Sequence, residues 1–168
     1  IGTAWVLGHH RAEYVLHLPV GDVEVRFDGA HGVAWMTPPH PTLGERFPAE
    51  RAARLVGLTA ADLAPDLPPQ LVSIGPEFVF VGVKDLATLR RCQLDVAYHR
   101  ACLAEGLPLN AVFMFSPQAY SADANYAARL FFDANGVRED PATGSANSGF
   151  AAYLHHHLGR PIDAIVEQ

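Results

Sequence analysis

From Arg138 to Leu158 the chain reads REDPATGSANSGFAAYLHHHL, two acids and a proline leading through small residues into an amphipathic run. The ring of Pro141 disfavours the α region for Asp140, so that carboxylate is carried on extended backbone and not by a helix. Thr143, Gly144 and Ser145 are small enough for a ligand to approach the main chain. Ala146, Phe150, Tyr153, Leu154 and Leu158 then recur at helical spacing, with Gly159 and Pro161 as stop signals, which predicts a helix starting near Ser145. A helix start leaves its first N–H groups unpaired at the positive end of the macrodipole, so Gly144 to Asn147 are expected to form an anion hole. The same letters also allow a plainer reading, in which Thr143 or Ser145 caps the helix and Asp140 is a solvated turn residue.

Other chemistries built from similar letters fail on spacing. A nucleotide P-loop needs G-x-x-x-x-G-K-[ST], and Lys84, the only lysine, is far from Gly144. A hydrolase elbow needs G-x-S-x-G, whereas Ala146 stands two residues before Ser148 and Asn147 two after Ser145. His155, His156 and His157 cannot converge on one ion, because consecutive helix positions point ~100° apart and ligating pairs need three- or four-residue spacing. His31 and His40 read as solvated loop residues, and Cys102, between Ala101 and Leu103 on a helix, as a small core residue rather than a catalytic thiol.

At 168 residues, 49% hydrophobic and 18% charged, the chain can bury a real core. Its formal charge of -6, with basic residues scattered singly or in pairs, offers no footprint for nucleic acid or an anionic membrane. Cys92 and Cys102 are too few for a disulfide scaffold and no apolar run approaches the ~20 residues of a membrane span, so a reducing, cytoplasmic setting is expected. Ile1 is not an initiator and no signal-peptide pattern follows, which reads as a start clipped from a longer protein.

Along the chain, Ile1 to Leu7 reads as the end of a helix with Gly8 as its cap. Tyr14, Leu16, Leu18 and Val20 alternate, as do Val23, Val25 and Phe27, which predicts a hairpin around Gly21-Asp22 with one buried face. A short strand follows at Val33 to Met36, and TPPHPTLG forbids regular structure, placing a lobe boundary near Gly44. The domains are therefore expected at 1–44 and 45–168. Pro48 suits a first helical position before an Ala49, Ala52, Leu55, Val56 stripe, and Thr59 with Asp62 reads as a capping box. Leu71 to Ile74 and Phe78 to Val83 read as strands, apolar enough to be buried on both faces. Helices are expected at Lys84–Arg91 and Asp95–Glu105, strands at Asn110–Ser116 and Ala127–Phe132, then a loop through Asp133 and Gly136. Strands interleaved with single helices indicate an α/β or α+β fold, in which a helix packs across a curved sheet.

EDPATGSA, Glu139 through Ala146, resembles without a gap the signature of the phenazine-biosynthesis PhzF-like family, cofactor-free enzymes related in fold to diaminopimelate epimerase. IGTAWVL and SIGPEFVFVGV extend the likeness along the chain with lower specificity. The resemblance implies an α+β fold of two similar lobes, each a helix wrapped by a curved sheet. Residues 1–44 would be a remnant of the first lobe and 45–168 most of the second. It further implies an isomerase without cofactor or metal that moves a proton on a small carboxylic acid held between the lobes. A glutamate and a Gly-His turn of the first lobe would lie before Ile1, a further strand after Gln168, and this piece alone would be inactive.

Carried over by motif, Asp140 and Ser145 are the candidate catalytic residues. Thr143, Gly144, Ser145, Ala146 and, through the SxG-P-F pattern, Gly75 are the candidate substrate-binding ones, with Ser73 a weaker addition. The turn carries no thiol, where related epimerases and racemases place one. The expected partners are the substrate acid and a second copy of the chain in a homodimer. The alternative is a silent relative that binds a small anion or serves in dimerisation.

Overall fold

A computed structural model describes residues 2–7, 11–19, 21–134 and 137–168. The contacts divide it into two units, Ile1–Pro41 and Thr42–Gln168. Gly8, Val20 and Gly136, which carried expectations above, lie outside the described residues.

The first unit holds helix α1 (Gly2–Leu7) and an antiparallel sheet of β1 (Glu13–Leu18), β2 (Gly21–Asp28) and β3 (Val33–Met36) in that order. Period-2 alternation puts Val23 and Val25 in the interior, and Phe27 meets the rings of Trp5 at 4.6 Å and Tyr14 at 5.6 Å between centroids. Leu18, read from alternation as inward, is exposed because it sits at the last pair of the hairpin, opposite Gly21 beside the turn.

The second unit begins earlier than Gly44. The prolines of TPPHPTLG end at Pro41, and β4 (Thr42–Arg46) pairs at once with β5 (Gln70–Ser73), Thr42 against Ser73 and Leu43 against Val72. Free N–H groups from Thr42 onward let the chain join a ladder that Pro38, Pro39 and Pro41 could not. Next come α2 (Ala49–Leu55), a single 3₁₀ turn at Ala60–Asp62, and β6 (Glu77–Gly82). They are followed by α3 (Leu86–Arg91), α4 (Val96–Ala104), β7 (Val112–Ser116), β8 (Tyr126–Ala134) and β9 (Val137–Asp140). Helix α5 (Gly144–Leu158) and β10 (Val166–Glu167) complete the unit. The sheet order is β10-β8-β7-β6-β5-β4, with β9 also paired to β8. Pro48 is the N-cap of α2 rather than its first residue, and Asp133 belongs to β8 rather than to a loop.

Burial on both faces of the central strands is what the apolar run of β6 requires. Val79, Val81, Val112 and Met114 face α2, α3 and α4 in one cluster, while Phe78, Phe80, Phe113 and Phe115 face α5 in the other. Helices therefore cover both sides of this sheet, α5 on one and α2, α3 and α4 on the other. Helix α5 buries Ala146, Gly149, Phe150, Tyr153 and Leu154, a stripe at i, i+3, i+4, i+7 and i+8. It lies so close that a Cβ built at Gly149 would stand 3.3 Å from Phe80 Cζ. Leu158, the last letter of the stripe, is 38% exposed, since steps of ~100° per residue have carried it off the buried face, where His157 instead meets Gln70 of β5.

Asp62 is the polar hinge of the α2–α3 side. It accepts from Thr59 N–H at 3.1 Å and Thr59 Oγ1 at 2.8 Å, and pairs with Arg91 at 3.0 Å and Lys84 at 3.5 Å. The Thr59 hydroxyl and N–H, then Arg91, hold its carboxyl well below the usual range. A depressed folded pKa contributes stability above the unfolded value, and that stability is lost as pH falls toward the folded one. Asp62→Asn is therefore expected to flatten the decline in melting temperature below about pH 4, and melting curves of both proteins between about pH 2 and 7 check it.

Candidate active site

The signature occupies the junction of β9 and α5. Alternation along β9 sends Glu139 and Asp140 to opposite faces. Glu139 is bound by Arg129 of β8 through two bonds of 2.7 and 2.8 Å. Arg129 also donates to the carbonyls of Leu89 at 3.3 Å and Cys92 at 2.9 Å, where α3 ends. Glu139 is thus an anchor that fixes β9 against β8 and α3. Asp140, half-buried on the other face, is left to the turn.

In that turn Thr143 Oγ1 donates to Asp140 Oδ2 at 2.5 Å. The other oxygen, Oδ1, has no hydrogen bond and the carboxylate no ion pair among the described residues. Thr143 is the N-cap of α5, yet its hydroxyl serves the aspartate rather than the helix N–H groups. The first intrahelical bond is Asn147 N–H to Thr143 O at 3.1 Å. The expected anion hole therefore shrinks by one donor: Asn147 is spent, and helix geometry leaves the N–H groups of Gly144, Ser145 and Ala146 without an intrahelical acceptor. Gly144 is exposed, and a Cβ built on it would meet nothing within 4 Å. Ser145 is half-buried. Ala146 is 0% exposed, packed into the core, so that only its backbone could touch a ligand.

Gly75 follows Ile74, whose Cγ2 lies 3.7 Å from a Cβ built at Gly149 of α5. It lies in the turn between β5 and β6 with φ at 105°, and Ser73 Oγ donates weakly to its carbonyl at 3.4 Å. In sheet order β7 and β8 stand between β6 and β9.

The remaining candidates resolve as structural. His155 Nδ1 contacts Arg160 O at 2.9 Å and His157 Nε2 contacts Gln70 Oε1 at 2.7 Å, so the histidine run diverges. Both cysteines are buried, and burial pushes the Cys92 thiol up to about 11, the opposite of an activated nucleophile. His31 is exposed beside Asp28 at 2.8 Å.

One residue absent from the expected site is central to it. Gln168 Nε2 donates to Asp140 O at 2.8 Å and to Thr143 Oγ1 at 3.0 Å. Its Oε1 accepts from Thr143 N–H at 3.1 Å and Asn147 Nδ2 at 3.2 Å. No local signal marks it, since a glutamine at a strand end matches no motif and its partners lie 21 to 28 positions away.

A carboxylate on a strand end, tied through one oxygen and set at an open helix start, lies in an α+β sheet of the PhzF and epimerase-like type. The chain belongs to the phenazine biosynthesis-like protein family, whose model matches residues 1–167. It is similar to the trans-2,3-dihydro-3-hydroxyanthranilate isomerase of Pseudomonas aeruginosa, 34% identical over 174 residues that span 99% of this chain and 57% of that enzyme. An uncharacterised isomerase of Clostridium acetobutylicum is 34% identical over 110 residues, 64% of this chain and 35% of that one. Among solved structures, the phenazine biosynthesis protein of Bacillus anthracis, of the PhzF family, superposes with a TM-score of 0.80 at 25% identity, covering 98% of this chain and 59% of that one. A predicted epimerase of Pseudomonas aeruginosa gives 0.69 at 27% identity, covering 94% and 55%. The chain thus spans about half the length of most of these relatives. No helix among the described residues is long and apolar enough to cross a membrane.

Proposed function

We propose that the full-length protein is a cofactor-independent isomerase that moves a proton on a small cyclic carboxylic acid, with Asp140 as a proton-transferring group. The observation that carries this reading is the state of the Asp140 carboxylate, anchored through Oδ2 by the N-cap residue of α5 while Oδ1 makes no hydrogen bond among the described residues. A substrate carboxylate on the N–H groups of Gly144 to Ala146 would bring a neighbouring C–H toward Oδ1. The proton leaves carbon for the carboxylate oxygen, the electron pair spreads into the conjugated acid, and the helix N–H groups stabilise the added charge. Return of a proton to another carbon completes an isomerisation with no change of redox state.

The named relatives support a hydroxylated cyclic acid of the dihydro-hydroxyanthranilate kind. The family likeness adds a glutamate and a histidine of a first lobe, and on this reading a polypeptide confined to residues 1–168 exchanges no substrate proton. The test is solvent-deuterium incorporation by the full-length protein into a panel of small cyclic carboxylic acids that includes trans-2,3-dihydro-3-hydroxyanthranilate. Incorporation into none of them would reject the proposal.

Ser145 separates binding from chemistry. Ser145→Ala removes one hydroxyl and leaves every backbone donor, so KM is expected to rise roughly 2- to 10-fold, the worth of one hydrogen bond, with kcat nearly unchanged. Steady-state rates across substrate concentration decide it, and a fall in kcat with constant KM would move Ser145 into the chemical step.

A further inference from the structure

The edge of β8 away from β7 carries two strands that meet head to head. Along it β9 runs antiparallel, ending with Asp140 opposite Leu130, and β10 runs parallel, pairing Val166 with Tyr126 and Glu167 with Ala127. Continuing that register brings Gln168 alongside Ala128, just short of Asp140. The approach is pinned from behind, because Glu167 accepts from the N–H groups of Tyr120 at 2.6 Å and Ser121 at 3.1 Å.

The carboxamide of Gln168 has one possible orientation. Thr143 N–H can only donate, so it faces Oε1; Asp140 O can only accept, so it faces Nε2. That choice decides the neighbouring hydroxyl. The second Nε2 hydrogen is directed at Thr143 Oγ1, which as the acceptor of that bond has its single proton left for Asp140 Oδ2. A donor-to-donor chain thus runs from Gln168 through Thr143 to one oxygen of the aspartate.

We propose that Gln168 is a positioning residue for proton transfer: by turning the Thr143 hydroxyl onto Asp140 Oδ2 it fixes the plane of the carboxylate and presents Oδ1 to the substrate. This rests on the reading of Asp140 as the acid/base group. Gln168 itself touches neither substrate nor reacting atoms. Removing its amide frees the hydroxyl to rotate and the carboxylate with it, and misplacement of a reacting group by about 1 Å costs on the order of 10²-fold in rate.

The test uses the full-length protein, solvent deuterium and the panel acid that the wild type exchanges best. Gln168→Ala deletes both functions of the amide. Gln168→Glu keeps its shape and the acceptor for Thr143 N–H but removes both donors. Both are expected to lower kcat about 10- to 100-fold with KM within a few-fold. In a Thr143→Val background, where no hydroxyl remains to be turned, Gln168→Ala should cost little more, and this non-additivity is what a merely structural role would not produce. Wild-type kcat in Gln168→Glu, or additive losses in the double variant, would overturn the inference while leaving Asp140 in place. No exchange by the wild type, or full exchange by Asp140→Asn, would overturn the functional reading and this inference with it.

Discussion

Asp140→Asn in the full-length protein is expected to lower solvent-deuterium incorporation into the substrate acid by about 10²-fold or more while the protein stays folded. The substitution is nearly isosteric. An asparagine oxygen at the place of Oδ2 still accepts from Thr143 Oγ1, and the main-chain oxygen still accepts from Gln168. What disappears is the group that can take and return a proton. If Asp140 only decorated the turn, the same change would cost at most ~2 kcal/mol of stability and leave turnover intact. Rates and melting temperatures measured on one preparation separate the two, and unchanged incorporation rejects the catalytic role.

The second large effect is on stability. Phe150→Ala is expected to cost about 3–5 kcal/mol, because it empties the centre of the ring cluster that holds α5 on the sheet. Phe150 is 1% exposed and meets Phe115 at 4.5 Å, Phe113 at 5.3 Å, Tyr126 at 5.3 Å and Phe80 at 5.9 Å between centroids. These rings stand on β6, β7 and β8, so one side chain ties the helix to three strands. Urea denaturation of the purified variant checks the figure, and a loss below about 1 kcal/mol would mean that the neighbouring rings refill the space. The same substitution also reaches the site, since α5 carries the N–H groups of Gly144 to Ala146 at its start.

Much of the second unit was legible because its signals are local. The stripe from Ala146 to Leu154 requires an apolar face every 3.6 residues, and Asp95, where the second of the two expected helices begins, caps α4 by accepting from the N–H of Tyr98. The continuous apolar run of β6 required cover on both faces, and the structure supplies it. Local signals failed where a neighbour overrode them. Thr42 and Leu43 became strand because β5 offered a ladder, and Leu158 was left outside because His157 takes the sheet-facing position of the last turn of α5, against Gln70.

By itself the sequence determined the elements of the signature: an extended acid before a proline, a small-residue turn and a helix start, each dictated by backbone sterics within a few residues. It could not determine that Glu139 is consumed by Arg129. Nor could it bring Gln168 to Asp140. Those outcomes depend on which strands share an edge of β8 and where their ends meet, and pairing between segments distant along the chain leaves no periodic trace in the residues that take part.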